Sequence, residues 1–519
     1  MSLRQRMRAA PFLAAIAAAL LCAAPPGAAA TGDALGYDDA RHLLNRTAFG
    51  ANEAEIERYA GMSREQAVKG LLGSGRAVAA TPPPAWTGDT GTLRYPRRGA
   101  GATDLERKMF RQQQVREGLQ LRGWWIGEMI ATPSPLTERM TLFWHNHFVS
   151  SQQKVKLALL MYRQNHTLRT HALGNFGAML HAIARDPAMI VYLDSAQNRR
   201  GAPNENFARE LMELFTLGEG NYGERDIKEV ARAFTGWSLD RDSGEFRFRR
   251  LLHDSGSKTI LGRSGNFDGD DVIDILLAQP ATAEFIARKL WREFVSPEPD
   301  PAEVGRIAAR FRDSGYDIKA ALYALLTSDA FYARANRGTL VKSPVDIVVG
   351  TLRQFGLQPA DTMPFAVAAA GMGQNLFAPP NVKGWPGQET WINTSTLLAR
   401  KQFLDRLFRA DATASNEPSI AGEDAMSAAA STPATDAARD PERARTTRFL
   451  RAVDRSIRSV QFDSAAWYAQ WKAPADAHAR TEDAVRLLFA VAPQSAPPPD
   501  TEPLALVHEL VLDAAYELK

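Results

Sequence analysis

The chain has 519 residues, with 62 basic and 59 acidic side chains, 45% hydrophobic residues and 9% aromatic residues. This composition is typical of a folded protein with a substantial core. A net charge of only +3 gives no general electrostatic reason to bind nucleic acid or an anionic membrane surface. We therefore expect neither of them as a partner.

The first thirty residues have the features of a secretory signal peptide. Three arginines precede an apolar run at 11–24 that is too short to span a bilayer, and Ala-Ala-Ala at 28–30 offers a cleavage site. Cleavage would leave 59 residues of each charge and remove Cys22, the single cysteine of the chain. A cysteine-free product has no disulfide, thiolate nucleophile or thiolate metal site, and no later run is long enough to cross a membrane. We expect an exported protein, periplasmic or extracellular.

The rest of the sequence predicts a mainly α fold. Apolar residues recur with helical spacing over a main domain at 31–409 and over C-terminal helices at 443–519, which we expect to dock on that domain. Residues 410–442 are rich in Ala, Ser, Thr, Asp and Glu, and predict a disordered linker. Alternation at 246–249 and a β-branched run at 259–261 predict a minor β hairpin.

The segment 135–148, PLTERMTLFWHNHF, is apolar nearly all round and predicts a buried helix. Glu138, Thr141 and His145 form one narrow polar stripe on it, and a buried Glu or His must find a partner or lose its charge. His147 points about 160° away from His145 if the helix continues. Both histidines are candidate metal ligands, and the alternative is that they are satisfied core residues.

The segment 204–218, NENFARELMELFTLG, predicts a helix with Asn204 as N-cap and Gly218 as the terminating glycine. One face is apolar. The opposite face, about 100° wide, carries Asn206, Arg209, Glu210 and Glu213. A solvated face usually carries several lysines and this one has none, so we interpret it as one wall of a functional site. The alternative is an ordinary solvated polar face.

Two carboxylates one turn apart can share a cation or divide the roles of acid and base. Glu210 and Glu213 with His145 or His147 would make an oxygen and nitrogen site suited to Zn, Mn, Fe or Ca. Metal-free proton transfer by Glu210 with His145 is the alternative within the enzyme class.

Two other segments carry candidate residues. The turn at 253–258, HDSGSK, brings the imidazole of His253 near the amine of Lys258, although it is also typical of a polar hairpin turn. Residues 379–393, PPNVKGWPGQETWIN, have too much Pro and Gly for a helix. We expect exposed Trp385 and Trp391 beside Asn381 there to bind a sugar ring or an aromatic ligand, and the alternative is that the tryptophans pack.

Five segments in this order, HLLNRTAFG, FWHNHF, NENFARELMELFTLG, HDSGSKTILG and PPNVKGWPGQETWIN, resemble the bacterial domain-of-unknown-function family 1800. The resemblance runs from about residue 40 to 409 and resumes in the C-terminal helices. It implies an exported, mostly helical protein without an established activity. Such proteins are often encoded beside one resembling the alkaline phosphatase and sulfatase group, which suggests envelope or polymer metabolism and a possible partner.

The family's recurrent positions match His145, Asn146, His147, Asn204, Asn206, Arg209, Glu210, Glu213, His253, Lys258, Asn381, Gly384 and Trp385 in this sequence. The chain departs from the family's pattern in the 410–442 insert, which we expect to be dispensable. It also departs at Leu251-Leu252, where the pattern implies a more basic stretch.

Two functions are consistent with these patterns. The first is an exported enzyme acting on an envelope or polymeric substrate such as a glycan. Its catalytic residues would be Glu210, Glu213, His145 and His253, its substrate-binding residues Asn206, Arg209, Lys258, Asn381, Trp385 and Trp391, and its metal ligands, if a divalent metal is used, His145, His147, Glu210 and Glu213.

The second is a non-catalytic envelope protein that binds a glycan or a protein, with the same polar residues forming a structural network. Solvent-reachable Glu210 or Glu213 with a shifted pKa would favour the enzyme, and full burial against Arg209 would favour the network.

Overall fold

The computed structural model describes residues 33–88, 103–240, 242–409, 441–471, 477–497 and 501–519. The predicted signal peptide at 1–30 lies outside these residues, as does the predicted linker at 410–442 except for its last two positions.

The described chain is mainly α, as the sequence predicts. The helices of the first half are α1 Gly36–Thr47, α2 Glu53–Ala60, α3 Arg64–Gly73, α4 Asp104–Ala131, α5 Pro135–His147, α6 Gln152–Val155, α7 Ala158–His171, α8 Phe176–Ala184, α9 Pro187–Tyr192, α10 Asn206–Glu210 and α11 Glu224–Ala233. Those of the second half are α12 Gly269–Leu277, α13 Pro280–Phe294, α14 Pro301–Asp313, α15 Ile318–Leu326, α16 Asp329–Tyr332, α17 Pro344–Gln354, α18 Met363–Gly371, α19 Thr394–Phe408, α20 Pro441–Arg458, α21 Ser464–Tyr468, α22 Ala477–Leu488 and α23 Pro503–Leu512.

Two small antiparallel hairpins interrupt the helices where the sequence predicts one. Strands β1 Trp237–Leu239 and β2 Phe246–Phe248 pair with Trp237 opposite Phe248, and β3 Lys258–Ile260 pairs with β4 Arg263–Gly265. The two predicted β segments therefore each take a different partner instead of pairing with one another. Three-residue strands give too little alternation for the sequence to reveal β1 and β4.

Helix α5 lies in the core, and burial on nearly every side matches its apolar circumference. Within the polar stripe on it, Glu138 is bonded by side chains of two other helices. Glu138 takes two hydrogen bonds from Arg169 of α7, with Nη2 at 2.8 Å, and a third from Trp125 Nε1 at 2.8 Å. Glu138 and Arg169 are both buried, so each charge is compensated inside the protein.

The last residues pack against the main helical part. Val341 and Leu518 form an antiparallel bridge, and Lys342 N–H donates to Glu517 O at 2.7 Å. Arg400 of α19 donates to the Glu517 carboxylate at 2.7 Å with both side chains buried.

Every helix in the described ranges is too short or too polar to be a candidate for crossing a membrane.

Candidate functional site

The candidate carboxylates lie where an α-helix changes to a π-helix. The sequence predicts one α-helix over 204–217, whereas α10 ends at Glu210 and a π-helical segment follows at Leu211–Thr216. In that segment Leu217 N–H donates to Met212 O, five residues back, at 2.8 Å. Gly218 has a φ of +77°, which confirms it as the terminating glycine. Such π segments occur preferentially at functional sites.

Glu210 is half-buried and reaches solvent. Burial raises the pKa of Glu210, the neighbouring charge of Glu213 raises it further, and the cations Arg209 and Lys383 oppose this in part. Within the described residues its carboxylate accepts no hydrogen bond. Glu210 is therefore a carboxyl group that holds its proton to higher pH than an ordinary glutamate.

Arg209 is not the partner of Glu210. Its guanidinium bonds Glu224 at 2.8 and 3.1 Å and Glu205 at 3.3 Å. These contacts tie α10 to the start of α11. Asn206 is exposed beside it, and its N–H donates to the side chain of Asn204 at 3.0 Å.

Glu213 is half-buried and accepts a hydrogen bond from the Tyr222 hydroxyl at 2.9 Å. Lys383, from the 379–393 loop, lies 3.6 Å from the carboxylate of Glu219. The charge of Lys383 also opposes the rise in the pKa of Glu210. The 379–393 loop therefore lies beside the carboxylates of Glu210 and Glu213. We call Glu210, Glu213, Tyr222 and Lys383 the acidic face.

His145 belongs to the core and not to the acidic face. Its ring is buried among Trp125, Phe377 and Trp385, with ring centroids 5.4 to 5.7 Å away. Its Nε2 accepts the N–H of Phe377 at 3.3 Å. Burial, together with the charge of Arg122, lowers the pKa of His145 to about 3. The imidazole is therefore neutral at physiological pH.

His147 is also buried, on the other side of α5 as the helical geometry predicts. Its Nε2–H donates to Phe215 O at 3.1 Å, and its Nδ1 accepts from the Lys289 ammonium at 2.9 Å. Burial lowers the pKa of Lys289 to about 8. Both ring nitrogens of His147 are thus occupied by protein groups that link α5, the π segment and α13.

The four residues predicted as metal ligands are not brought together. Among the residues that the structure describes, no three His, Cys, Asp or Glu side chains are grouped so that they could hold a metal ion. His145 and His147 point to opposite sides of α5, and the Nε2 of His145 and both nitrogens of His147 face the protein groups named above. Of the predicted set, Glu210 and Glu213 alone share a surface.

The 253–258 turn is held by its own neighbours. His253 Nδ1–H donates to Thr235 O at 2.9 Å, and Asp254 takes two hydrogen bonds from Arg232, at 2.8 and 3.2 Å. Lys258 is buried, and its ammonium donates to Asp254 O at 2.6 Å and Gly256 O at 3.0 Å. These bonds fasten the turn to the end of α11.

The 379–393 loop is fastened by the residue between the two histidines. Asn146 Oδ1 accepts the Trp385 N–H at 2.7 Å and Nδ2 donates to Trp385 O at 3.2 Å. Gly384 passes so close that a Cβ there would lie 2.2 Å from Asn146 Oδ1. Asn381 is exposed and shapes the same turn, accepting the Lys383 N–H at 2.8 Å.

The prediction that Trp385 and Trp391 are exposed is wrong. Both side chains are buried, with 5% and 8% of their surface exposed, because Asn146 holds the loop against α5 through its hydrogen bonds to Trp385. They line a cavity whose other walls come from α5, α13, α17 and the last residues of the chain. Its lining residues are Arg139, Leu142, Phe143, Asn146, Glu293, Val341, Ser343, Asp346, Gln374, Trp385, Gly387, Gln388, Trp391 and Lys519.

Sequence reasoning missed the charged residues of this cavity. Asp346 is buried and pairs with Arg139 on one oxygen and with Lys519 Nζ, at 2.7 Å, on the other. Glu293 lies 3.4 Å from Arg139 and is 30% exposed. The one available signal was Arg139 itself, because an arginine on a helix that is apolar all round requires a buried partner.

The structure thus defines a mainly helical protein with a half-buried carboxylate face and, beneath the adjoining loop, a charged cavity. The sequence profile of the family described as "Protein of unknown function (DUF1800)" matches residues 42–492, so the chain belongs to that family. No curated protein and no solved structure matches the chain.

Proposed function

We propose that this chain is an exported enzyme that acts on an envelope or polymeric substrate at the acidic face, with Glu210 as the proton-transferring group. The observation that carries the proposal is the state of Glu210. It is half-buried, reaches solvent, has a raised pKa and is not paired with Arg209. Burial and a like charge are the means by which enzymes bring a carboxyl group toward its working pH.

Glu213 supports this assignment. The Tyr222 hydroxyl donates to it, whereas Glu210 accepts no such bond from the described residues. Two carboxyl groups in unlike environments can serve as acid and base. Lys383 borders the face and would attract an anionic part of the substrate, whereas Arg209 is already paired with Glu224 and Glu205.

The basic, apolar and small-residue pattern of 1–30 supports export, and the open acidic face suits a polymer better than a deeply enclosed small molecule. His145 and His253 are not needed in this scheme, because both are held by backbone groups of the fold.

The non-catalytic alternative is favoured by a specific observation. His145, His147 and Lys258 are all buried and hydrogen-bonded to the protein. A protein in which these residues only shape loops would bind a glycan or a protein partner without changing it.

The deciding experiment is a screen of purified protein against peptidoglycan, neutral polysaccharides and acidic polysaccharides, with released fragments and new reducing ends as the readout. We expect turnover of at least one polymer, and Glu210→Gln should reduce it by about 100-fold or more. Glu65→Gln, which changes an exposed carboxylate of α3 that pairs with Lys69, is the control and should retain most of the activity.

Binding of a polymer without turnover, equal in the wild type and in Glu210→Gln, would contradict the enzymatic proposal. Elemental analysis of chelator-free protein tests the metal hypothesis separately. Near-stoichiometric Zn, Mn, Fe or Ca that is lost in Glu210→Gln would establish a metal at the acidic face.

A further inference from the structure

The cavity beneath the 379–393 loop has unsatisfied hydrogen-bond donors in its walls. Within the described chain, the Nε2 amides of Gln374 and Gln388 and the indole N–H groups of Trp385 and Trp391 make no hydrogen bond, although their residues line the cavity. Gln374, Trp385 and Trp391 are buried. None of these four donor atoms is itself enclosed by protein, so they reach the cavity and are free to bind the acceptors of a ligand there.

The charges point to the same kind of occupant. Asp346 already has both oxygens engaged by Arg139 and Lys519, and it also accepts the Ser343 N–H at 2.9 Å. Glu293 is the other carboxylate in the lining, and burial raises its pKa against the opposing charges of Arg139 and Lys519. When Glu293 carries its proton, the lining side chains present two cations and one carboxylate.

The volume of the cavity suits one sugar residue. It has room for about six water molecules, which is enough for a single six-membered sugar ring. The two tryptophans offer the flat apolar surfaces on which the C–H face of such a ring packs. Glu293, 30% exposed, shows that the cavity can be reached from solvent.

We propose that this cavity binds one acidic sugar, a pyranose that carries a carboxylate. The ring lies against Trp385 or Trp391, the unpaired amide and indole donors bind its hydroxyl oxygens, and Arg139 with Lys519 attracts its carboxylate. The choice of a sugar rests on the proposed function, but occupancy of the cavity does not, because Glu210 is not among the lining residues.

The test uses the full chain and two probes, glucuronate and glucose, titrated by calorimetry at pH 6. We expect saturable binding of glucuronate and binding of glucose weaker by about 10-fold or more, since a charge-assisted hydrogen bond is roughly twice as strong as a neutral one. Glucose binding as tightly as glucuronate would overturn the acidic assignment, and binding of neither at tens of millimolar would overturn the site.

Two variants test whether the ligand binds in this cavity. Trp391→Phe keeps an aromatic ring but removes the indole donor, and Gln388→Ala removes one amide donor at a half-buried position. Each variant should weaken glucuronate binding by about 3- to 10-fold, which corresponds to the loss of one hydrogen bond. Trp86→Phe, which removes an indole donor bonded to Gln120 outside the cavity, is the matched control and should bind as the wild type does.

Near-ultraviolet circular dichroism identifies any variant that has lost its fold. If Trp391→Phe does not fold, Gln388→Ala, which changes a less buried side chain, decides whether the cavity is the binding site. Glucuronate binding that is unchanged in both variants would overturn the cavity as its location. Glu210→Gln should bind glucuronate normally even if it abolishes turnover, so failure of the enzymatic proposal and failure of this one give different results.

Discussion

Asn146 holds the backbone of Trp385 from both sides, accepting its N–H at 2.7 Å and donating to its carbonyl at 3.2 Å. The two residues are 239 positions apart in the sequence. This single amide fixes the loop that carries Lys383 to the acidic face and the two tryptophans to the cavity. This structural role accounts for the presence of an asparagine on an otherwise buried helix, and no catalytic role is needed to explain it.

Gly384→Ala should therefore be strongly destabilising. The new Cβ would lie 2.2 Å from Asn146 Oδ1 and 2.7 Å from Asn146 O, at a φ of +83°. The backbone conformation alone costs about 1–2 kcal/mol for a residue other than glycine, and the clash adds to it. Urea unfolding of Gly384→Ala measures the loss, and Gly371→Ala, whose Cβ meets nothing within 4 Å, is the control. Equal stability of the two variants would show that the loop is not held in this way.

Removing one charge of the Glu138–Arg169 pair should destabilise the protein severely. Glu138→Gln leaves the buried guanidinium without its carboxylate, and a broken buried pair costs about 3–5 kcal/mol. Thermal unfolding checks this against Glu65→Gln, which breaks an exposed pair with Lys69 and should change little. A Glu138→Gln protein as stable as the wild type would contradict the burial of this pair.

Asp186 should make stability fall as the pH rises. Burial raises its pKa from the ordinary 3.8 to about 7, while bonds from Met189 N–H and Gln164 oppose the rise. A carboxyl group with a raised folded-state pKa contributes its stability fully below the unfolded pKa and loses it as the pH rises through the folded one. The free energy of unfolding should therefore decrease between about pH 4 and pH 7 and level off above that.

Asp186→Asn keeps the acceptor oxygen that caps α9 and cannot titrate. Urea unfolding at a series of pH values should show this decrease in the wild type and a smaller one in the variant. Identical slopes would mean that Asp186 is ionised in the fold throughout this range.

Glucuronate affinity should depend on the ionisation of Glu293. Burial raises the pKa of this carboxyl group, which faces Arg139 from α5, Arg46 from α1, Asp346 from α17 and Lys519. A bound carboxylate is repelled once Glu293 is ionised, so affinity should fall as the pH rises through the raised pKa of Glu293. Calorimetry between pH 5 and 8 on the wild type and Glu293→Gln checks this, and an equal pH dependence in both would contradict it.

Local patterns made much of the fold predictable. Helix α5 is buried on nearly every side as its composition predicts, and Gly218 ends its helix. Each of these features depends on residues within about one helical turn of one another.

The candidate site was less predictable, because its decisive contacts join distant segments. Arg169 reaches Glu138 across 31 residues and Lys519 reaches Asp346 across 173. The burial of Trp391 and the π segment after Glu210 likewise follow from tertiary packing, which the spacing of residues along one helix does not encode. Helical spacing placed Glu210 and Glu213 on one surface but could not assign the two histidines to the core.

Glu210 is a half-buried carboxyl group without a hydrogen-bonded cation partner in the described residues, and we propose that it transfers a proton. The most direct measurement is the pKa of Glu210 itself, from ¹³C NMR of protein labelled at glutamate side chains, with the signal assigned by its absence in Glu210→Gln. We predict a pKa above that of an ordinary glutamate, about 4.3, and a lower value in Glu213→Gln, where the like charge is removed. A Glu210 pKa at or below the ordinary value, unchanged in Glu213→Gln, would contradict this role for Glu210.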